Sequence, residues 1–195
     1  MWHQVTEPAR ESDVEAVLSL ARHAEPRCGA TVVVAIDGPS GSGKTTLAKG
    51  VAEALERLGT VEVVHMDLIY PGWDGLAEAP GLLATQVLEP LAQGHPAAYR
   101  TWSWVRDGWH GTRTVAGSRF LVVEGCGSSV EPAGAYAAVR VFVEATRALR
   151  MSRGIARDGE DYRPHWERWA EQESRLYAAD RTRERADLVV DTSSL

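Results

Sequence analysis

A chain of 195 residues with 44% apolar residues is long enough to bury the core of one α/β domain, and its composition is neither disordered nor membrane-spanning. A formal charge of -6 argues against a nonspecific nucleic-acid binder, while a local basic pocket stays open. Cys28 and Cys126 form neither a CxxC pair nor a metal-ligand cluster, so both read as free thiols in a reducing compartment.

Residues 1–10 carry no apolar signal core, and no run approaches membrane-spanning length, which makes the cytoplasm the expected location. Residues 1–29 read as an N-terminal helical extension. Val14, Val17, Leu18 and Ala21 recur at helix spacing within 11–24, and Glu25-Pro26 ends the helix. Residues 30–36 are a continuous apolar run rich in β-branched side chains, the pattern of a central strand buried on both faces. A glycine-rich loop follows at once. Leu47, Val51, Leu55 and Leu58 then form one apolar face of a helix over 45–58.

Residues 61–65 read as a second strand, and 67–80 as turns with aromatics. A helix is expected over 82–91. Residues 96–117 read as irregular, with Trp102, Trp104 and Trp109 suggesting an aromatic pocket. Further strands are expected at 120–124, 139–143 and 188–191, with a basic helical stretch and a long helix over 163–179 between the last two. Five apolar strands alternating with helices indicate an open α/β sheet in a single domain.

The chemistry centres on Gly38-Pro39-Ser40-Gly41-Ser42-Gly43-Lys44-Thr45, a GxxxxGKT loop between strand and helix. Glycines admit backbone shapes that turn N–H groups inward around phosphate oxygens, and the following helix adds its positive end. Lys44 supplies charge near the β and γ phosphates, and Thr45 a hydroxyl for Mg²⁺. Thr46 completes the nucleotide-binding stretch.

Asp67 follows the second strand and Glu124 ends the third, at the carboxyl edge where open parallel sheets bind ligands. Asp67 can accept the proton of an acceptor hydroxyl, and Glu124 can serve Mg²⁺. His65 reads as structural and not as the base. Arg147, Arg150, Arg153 and Arg157 recur at spacings of three, three and four, so a helix places them on roughly one face, suited to a triphosphate. Arg153 and Arg157 are the expected catalytic pair, with Arg150 next, in a lid-like segment around 147–162 closed by Asp158-Gly159.

Together these pieces resemble the uridine kinase and phosphoribulokinase group of P-loop kinases, over residues 30–191. The resemblance implies a divergent bacterial member with a three-layer α/β/α P-loop nucleoside triphosphate hydrolase fold, a central five-stranded parallel sheet and a small helical lid. It implies ATP-Mg²⁺ bound by Lys44 and Thr45, Asp67 as activator of the acceptor hydroxyl, Glu124 on the Mg²⁺ side, and Arg153 and Arg157 on phosphates. Residues 186–191 resemble the strand and loop near the nucleotide base. The acceptor region departs from the family pattern. Ile69 stands where an aromatic residue is usual, Leu68 where an acidic one is frequent, and Trp73-Asp74-Gly75 only echoes the acceptor motif.

The leading expectation is therefore an ATP-dependent kinase acting on the hydroxyl of a small molecule: a nucleoside, a sugar or a vitamin-like alcohol. Tyr70, Trp73, Tyr99, Arg100 and Arg106 are the candidate acceptor residues. The alternatives are a nucleoside monophosphate kinase and a regulatory ATP-binding protein. No guanine-recognition Asn-Lys-x-Asp stretch and no DNA-binding helix motif occur, and no nucleic-acid or membrane partner is expected. A homodimer is compatible with the chain.

Overall fold

β1 (Val32–Asp37) is buried along its whole length, as its run of valines demands. A computed structural model describes the chain over residues 8–194, and of Asp161 only the backbone. Residues 1–7 of the expected N-terminal extension therefore lie outside the described residues. β2 (Val61–His65), β5 (Phe120–Glu124), β6 (Val139–Glu144) and β7 (Leu188–Asp191) join β1 in one sheet of order β2-β5-β1-β6-β7. Every pairing in it is parallel. All five expected strands are present.

Alternation along β1 builds the two faces. Val32, Val34 and Ile36 pack with Leu47, Val51 and Leu55 of α2 (Lys44–Leu55) and with Val17, Leu18 and Ala21 of α1 (Glu11–His23). Val33 points the other way, into a second core with Leu83, Leu88 and Trp169. This gives three layers, helix on sheet on helix. Each fully buried leucine in them contributes about 1.5–3 kcal/mol. Gly50 lets α1 cross α2 closely, since a Cβ there would meet Val14 Cγ2 at 2.9 Å.

Element boundaries shift for local reasons. β1 begins at Val32 rather than residue 30, because Thr31 N–H closes a turn on Cys28 O at 3.0 Å around Gly29. The helix expected over 82–91 starts earlier and is interrupted: α3 (Ala79–Leu83) runs through a widened π turn (Ala84–Leu88) into α4 (Glu89–Ala92). Pro90 has no N–H for the bond to residue 86, and the widened turn directly precedes it.

The largest correction concerns 96–117. This segment is not irregular: β3 (Ala97–Ser103) and β4 (Gly108–Val115) form an antiparallel hairpin. Ala97, Tyr99 and Thr101 turn inward while Ala98 and Arg100 face solvent, the alternation of a half-buried hairpin. Trp102 packs edge-on against its cross-strand partner Trp109, with ring centroids 5.3 Å apart. The lid-like segment is α5 (Arg147–Asp158) followed by a short turn, Glu160–Tyr162, after Gly159 at φ +84°. α6 (Arg163–Asp180) returns along the sheet.

Candidate active site

The phosphate loop is pressed between β6 and α5. A Cβ on Gly38 would lie 2.0 Å from Val143 O, and one on Gly41 2.2 Å from Arg150 O, both at positive φ. Only glycine fits at these two positions. Gly43 ends the loop, and α2 opens on Lys44 and Thr45, aiming its N-terminus into the cleft. Pro39, Ser40, Ser42 and Thr46 complete the stretch, with Ser42 fully buried. Lys44 Nζ donates to Pro39 O at 2.9 Å, so its ammonium is folded back over the loop.

Register brings the carboxylates to this loop. Glu124 at the end of β5 is flanked by Ile36 of β1 and His65 of β2. Its Oε2 accepts from Thr45 Oγ1 at 3.1 Å, and its Oε1 lies 2.6 Å from His65 Nδ1. His65 thus orients Glu124, in keeping with its structural reading. Asp67 sits in the turn Met66–Leu68 directly after β2. Burial, and then the negative charge of Glu124, push its pKa up, while Arg157 and Lys44 pull it down.

Thr45, Asp67 and Glu124 line one cleft of about 950 Å³. Lys44, Thr45, Thr46, Glu124, Arg153 and Arg157 form its phosphate end. Trp73, Trp104, His165 and Trp169 form an aromatic end, with Tyr70 and Tyr162 beside them. Trp73 is the centre of that end: it stacks on His165 at 4.2 Å and packs on Trp104 at 4.8 Å. Asp67 joins the two halves, because Trp104 Nε1–H donates to its backbone carbonyl at 2.8 Å.

The four arginines of α5 do not act alike. Arg153 lines the cleft and donates to Thr192 Oγ1 at 2.9 Å and Thr192 O at 3.1 Å; Thr192 in turn donates to Ser42 O at 2.8 Å. Arg157 also lines the cleft and is bidentate with Asp158, at 2.8 and 2.6 Å. Arg150, an expected nucleotide contact, does not line the cleft. It lies behind the loop, 3.4 Å from Glu173 Oε2. Arg147 pairs on the surface with Glu167.

Of the expected acceptor residues, Tyr70 and Trp73 line the cleft. Tyr99 is buried in the core under the hairpin, Arg100 lies outside over Trp109 at 4.7 Å, and Arg106 is exposed in the hairpin turn. None of these three reaches the cavity. In a half-buried hairpin the inward tyrosine belongs to the core and the alternate arginine to solvent.

Sequence reasoning passed over several residues of the site. Trp104, expected in an aromatic pocket with Trp102 and Trp109, lines the cleft without those two, and Val105, which was passed over, enters beside it from the hairpin turn, whose strands were not recognised. His165 and Trp169 stand four apart on α6, a helical spacing that could have placed them on one face. Asp37, the last residue of β1, is fully buried. Its Oδ1 accepts from Gly38 N at 2.7 Å, Gly127 N at 2.8 Å and Tyr177 OH at 2.8 Å, and its Oδ2 from Ser129 N at 2.8 Å and Ser129 Oγ at 2.9 Å. A carboxylate ending a wholly apolar strand was the signal available for it.

Among the described residues, no three or more His, Cys, Asp or Glu side chains gather into a metal cage. The hydroxyl of Thr45 beside the carboxylate of Glu124 suits Mg²⁺ instead, an ion held by one or two protein groups together with substrate phosphates and water. Lys44→Ala is expected to weaken binding of Mg²⁺-ATP at least tenfold; isothermal titration of folded variant against wild type checks it, and retained affinity would remove Lys44 from the phosphate site.

Among the described residues, no helix is long and apolar enough to cross a membrane. The sequence matches no family profile and no curated protein. Its fold does match solved structures. One, described as a possible uridine kinase from Bacillus stearothermophilus, superposes with a TM-score of 0.68 at 21% identity, over 92% of this chain and 98% of that one. Another, described provisionally as a fructose transport system kinase from Silicibacter sp. TM1040, gives a TM-score of 0.60 at 22% identity, over 91% and 98%. The parallel sheet, the loop at the end of β1 and these likenesses together show that the chain has the three-layer α/β/α P-loop fold of these solved structures.

Proposed function

We propose that the protein is an ATP- and Mg²⁺-dependent kinase that phosphorylates a hydroxyl of an unphosphorylated small molecule bearing a flat ring. The observation that carries this reading is the single cleft with Lys44 and Thr45 at one end, an aromatic wall at the other, and Asp67 lining the same cleft with its backbone carbonyl bonded to Trp104. The two structures of like fold are described as kinases, which supports phosphoryl transfer. The lining of Trp73, Trp104 and Trp169 favours a ring over an open-chain sugar. Arg100 and Arg106 lie outside the cavity, which weighs against a phosphorylated acceptor and so against a monophosphate kinase.

In this mechanism the loop amides, Lys44 and Arg153 hold the triphosphate, and Thr45 with Glu124 would hold Mg²⁺. When bound there, Mg²⁺ would supply positive charge to the β and γ phosphates. Asp67 takes the proton of the acceptor hydroxyl as its oxygen bonds to the γ phosphorus and the bond to the β-bridging oxygen breaks. Arg157 balances charge beside Asp67. The aromatic wall excludes water, whose attack would waste ATP.

The test is a screen of nucleosides, other ring-bearing alcohols and sugars with ATP-Mg²⁺, with the phosphorylated product identified by mass spectrometry. A ring-bearing monophosphate is expected. ADP release with no phosphorylated product from any alcohol would sink the reading in favour of a nucleotide-binding regulatory protein. Trp104→Ala is expected to raise KM for the acceptor about tenfold, the equivalent of ~1.4 kcal/mol, with KM for ATP unchanged. Steady-state kinetics with each substrate varied in turn checks it.

A further inference from the structure

Ser40 lies in the middle of the phosphate loop, and all three of its polar groups are held by residues of the segment 147–180. Its N–H donates to Glu173 Oε1 at 2.6 Å. Its carbonyl accepts from Arg150 Nη1 at 3.3 Å, and its hydroxyl lies 2.9 Å from Tyr162 OH. Arg150 closes the ring on Glu173 Oε2, and Cys126 Sγ–H donates to Oε1 at 3.2 Å.

Glu173 is only 2% exposed and does not line the cleft. It stands on the buried stripe of α6 with Trp166, Trp169 and Ala170, where packing alone would ask for an apolar side chain. Burying a carboxylate there is unfavourable unless its oxygens are used. What Glu173 does that an apolar residue cannot is accept the Ser40 N–H. That bond fixes one peptide plane of the loop from behind, and a fixed plane limits the directions open to the amides that follow it.

We propose that Glu173 is a positioning residue of the nucleotide site: its carboxylate holds the Ser40 peptide so that the phosphate loop is already shaped for a triphosphate before the nucleotide arrives. Preformed donors bind more tightly because no ordering is left to be done on binding. The inference rests on the proposed nucleotide-binding function.

The experiment titrates wild type, Glu173→Leu and Glu173→Gln with adenylyl imidodiphosphate and Mg²⁺ by calorimetry, alongside amide hydrogen exchange of residues 38–45 and thermal melting. Glu173→Leu removes the acceptor, whereas Glu173→Gln keeps an oxygen at the same reach. Glu173→Leu is expected to weaken the analogue about tenfold or more and to speed exchange across the loop in the nucleotide-free protein. Glu173→Gln is expected to stay within about threefold of wild type. Wild-type affinity in folded Glu173→Leu, or equal losses in the two variants, would overturn the proposal. Should Glu173→Leu not fold, Glu173→Asp replaces it with the same two outcomes, since its carboxylate stays charged but falls one methylene short of Ser40. A wild-type protein that does not bind the analogue would instead reject the nucleotide-binding reading itself.

Discussion

Asp67→Asn is expected to lower kcat by ~10²–10⁴-fold while the affinity for Mg²⁺-ATP stays within about threefold. The asparagine keeps the shape of the turn after β2 but cannot take a proton. The same change is expected to raise the melting temperature at pH 7. Burial and the charge of Glu124 raise the pKa of Asp67 in the folded chain. Between the ordinary aspartate value, about 3.9, and the raised one, the folded protein keeps a proton that the unfolded chain has released. Stability contributed by the protonated form is therefore full below the ordinary value and is lost as pH rises through the raised one. At pH 7, above the ordinary value, the raised pKa costs the fold stability, a cost the uncharged amide does not carry. A base must be ionised, so the acid limb of the wild-type kcat/KM profile should lie above 3.9. Parallel kinetics, nucleotide titration and melting at pH 4 and pH 7 check these points. Equal losses of turnover and nucleotide affinity would mean that Asp67 shapes the phosphate end and is not the base.

Asp37→Asn is expected to destabilise the fold by about 3–5 kcal/mol, far more than its single-atom change suggests. All five partners of Asp37 donate, three of them backbone N–H groups that cannot turn round. The amide nitrogen of asparagine must face at least one such N–H, leaving two buried donors opposed. Burial pushes the Asp37 pKa up, and the donors from Ser129, Gly38, Tyr177 and Gly127 hold it down. Because these bonds join the start of the phosphate loop to the segment after β5 and to α6, the loss should also weaken nucleotide binding. Urea unfolding checks the main claim; a change under 1 kcal/mol would mean that the network does not need the charge.

The sheet was legible because a parallel strand buried on both faces must be a run of apolar residues, and residues 32–36 and 120–123 have no other reading. The loop was legible because its glycines answer steric needs now visible at Gly38 and Gly41. Asp67 and Glu124 followed from one topological rule about strand ends. The hairpin was not legible: its outer face is solvated, and Trp102, Trp104, Arg106 and Asp107 break the apolar rhythm around the turn. Nor was the division of labour on α5. A residue turns ~100° along a helix, so positions 147, 150 and 153 drift by ~60° at each step. That drift separates Arg147 on the surface, Arg150 behind the loop and Arg153 at the cleft. Glu173 was hidden for a different reason, since a buried carboxylate inside a charged helix cannot be told from its solvated neighbours by type.

The aromatic end of the cleft has a consequence for measurement. Trp73, Trp104 and Trp169 line it, whereas Trp102, Trp109 and Trp166 do not. An acceptor ring seated against Trp73 must change the surroundings of three indoles and the stack with His165 at once. Intrinsic emission should therefore report acceptor binding without any label, turning the wall proposed to receive the acceptor into the protein's own optical gauge of occupancy.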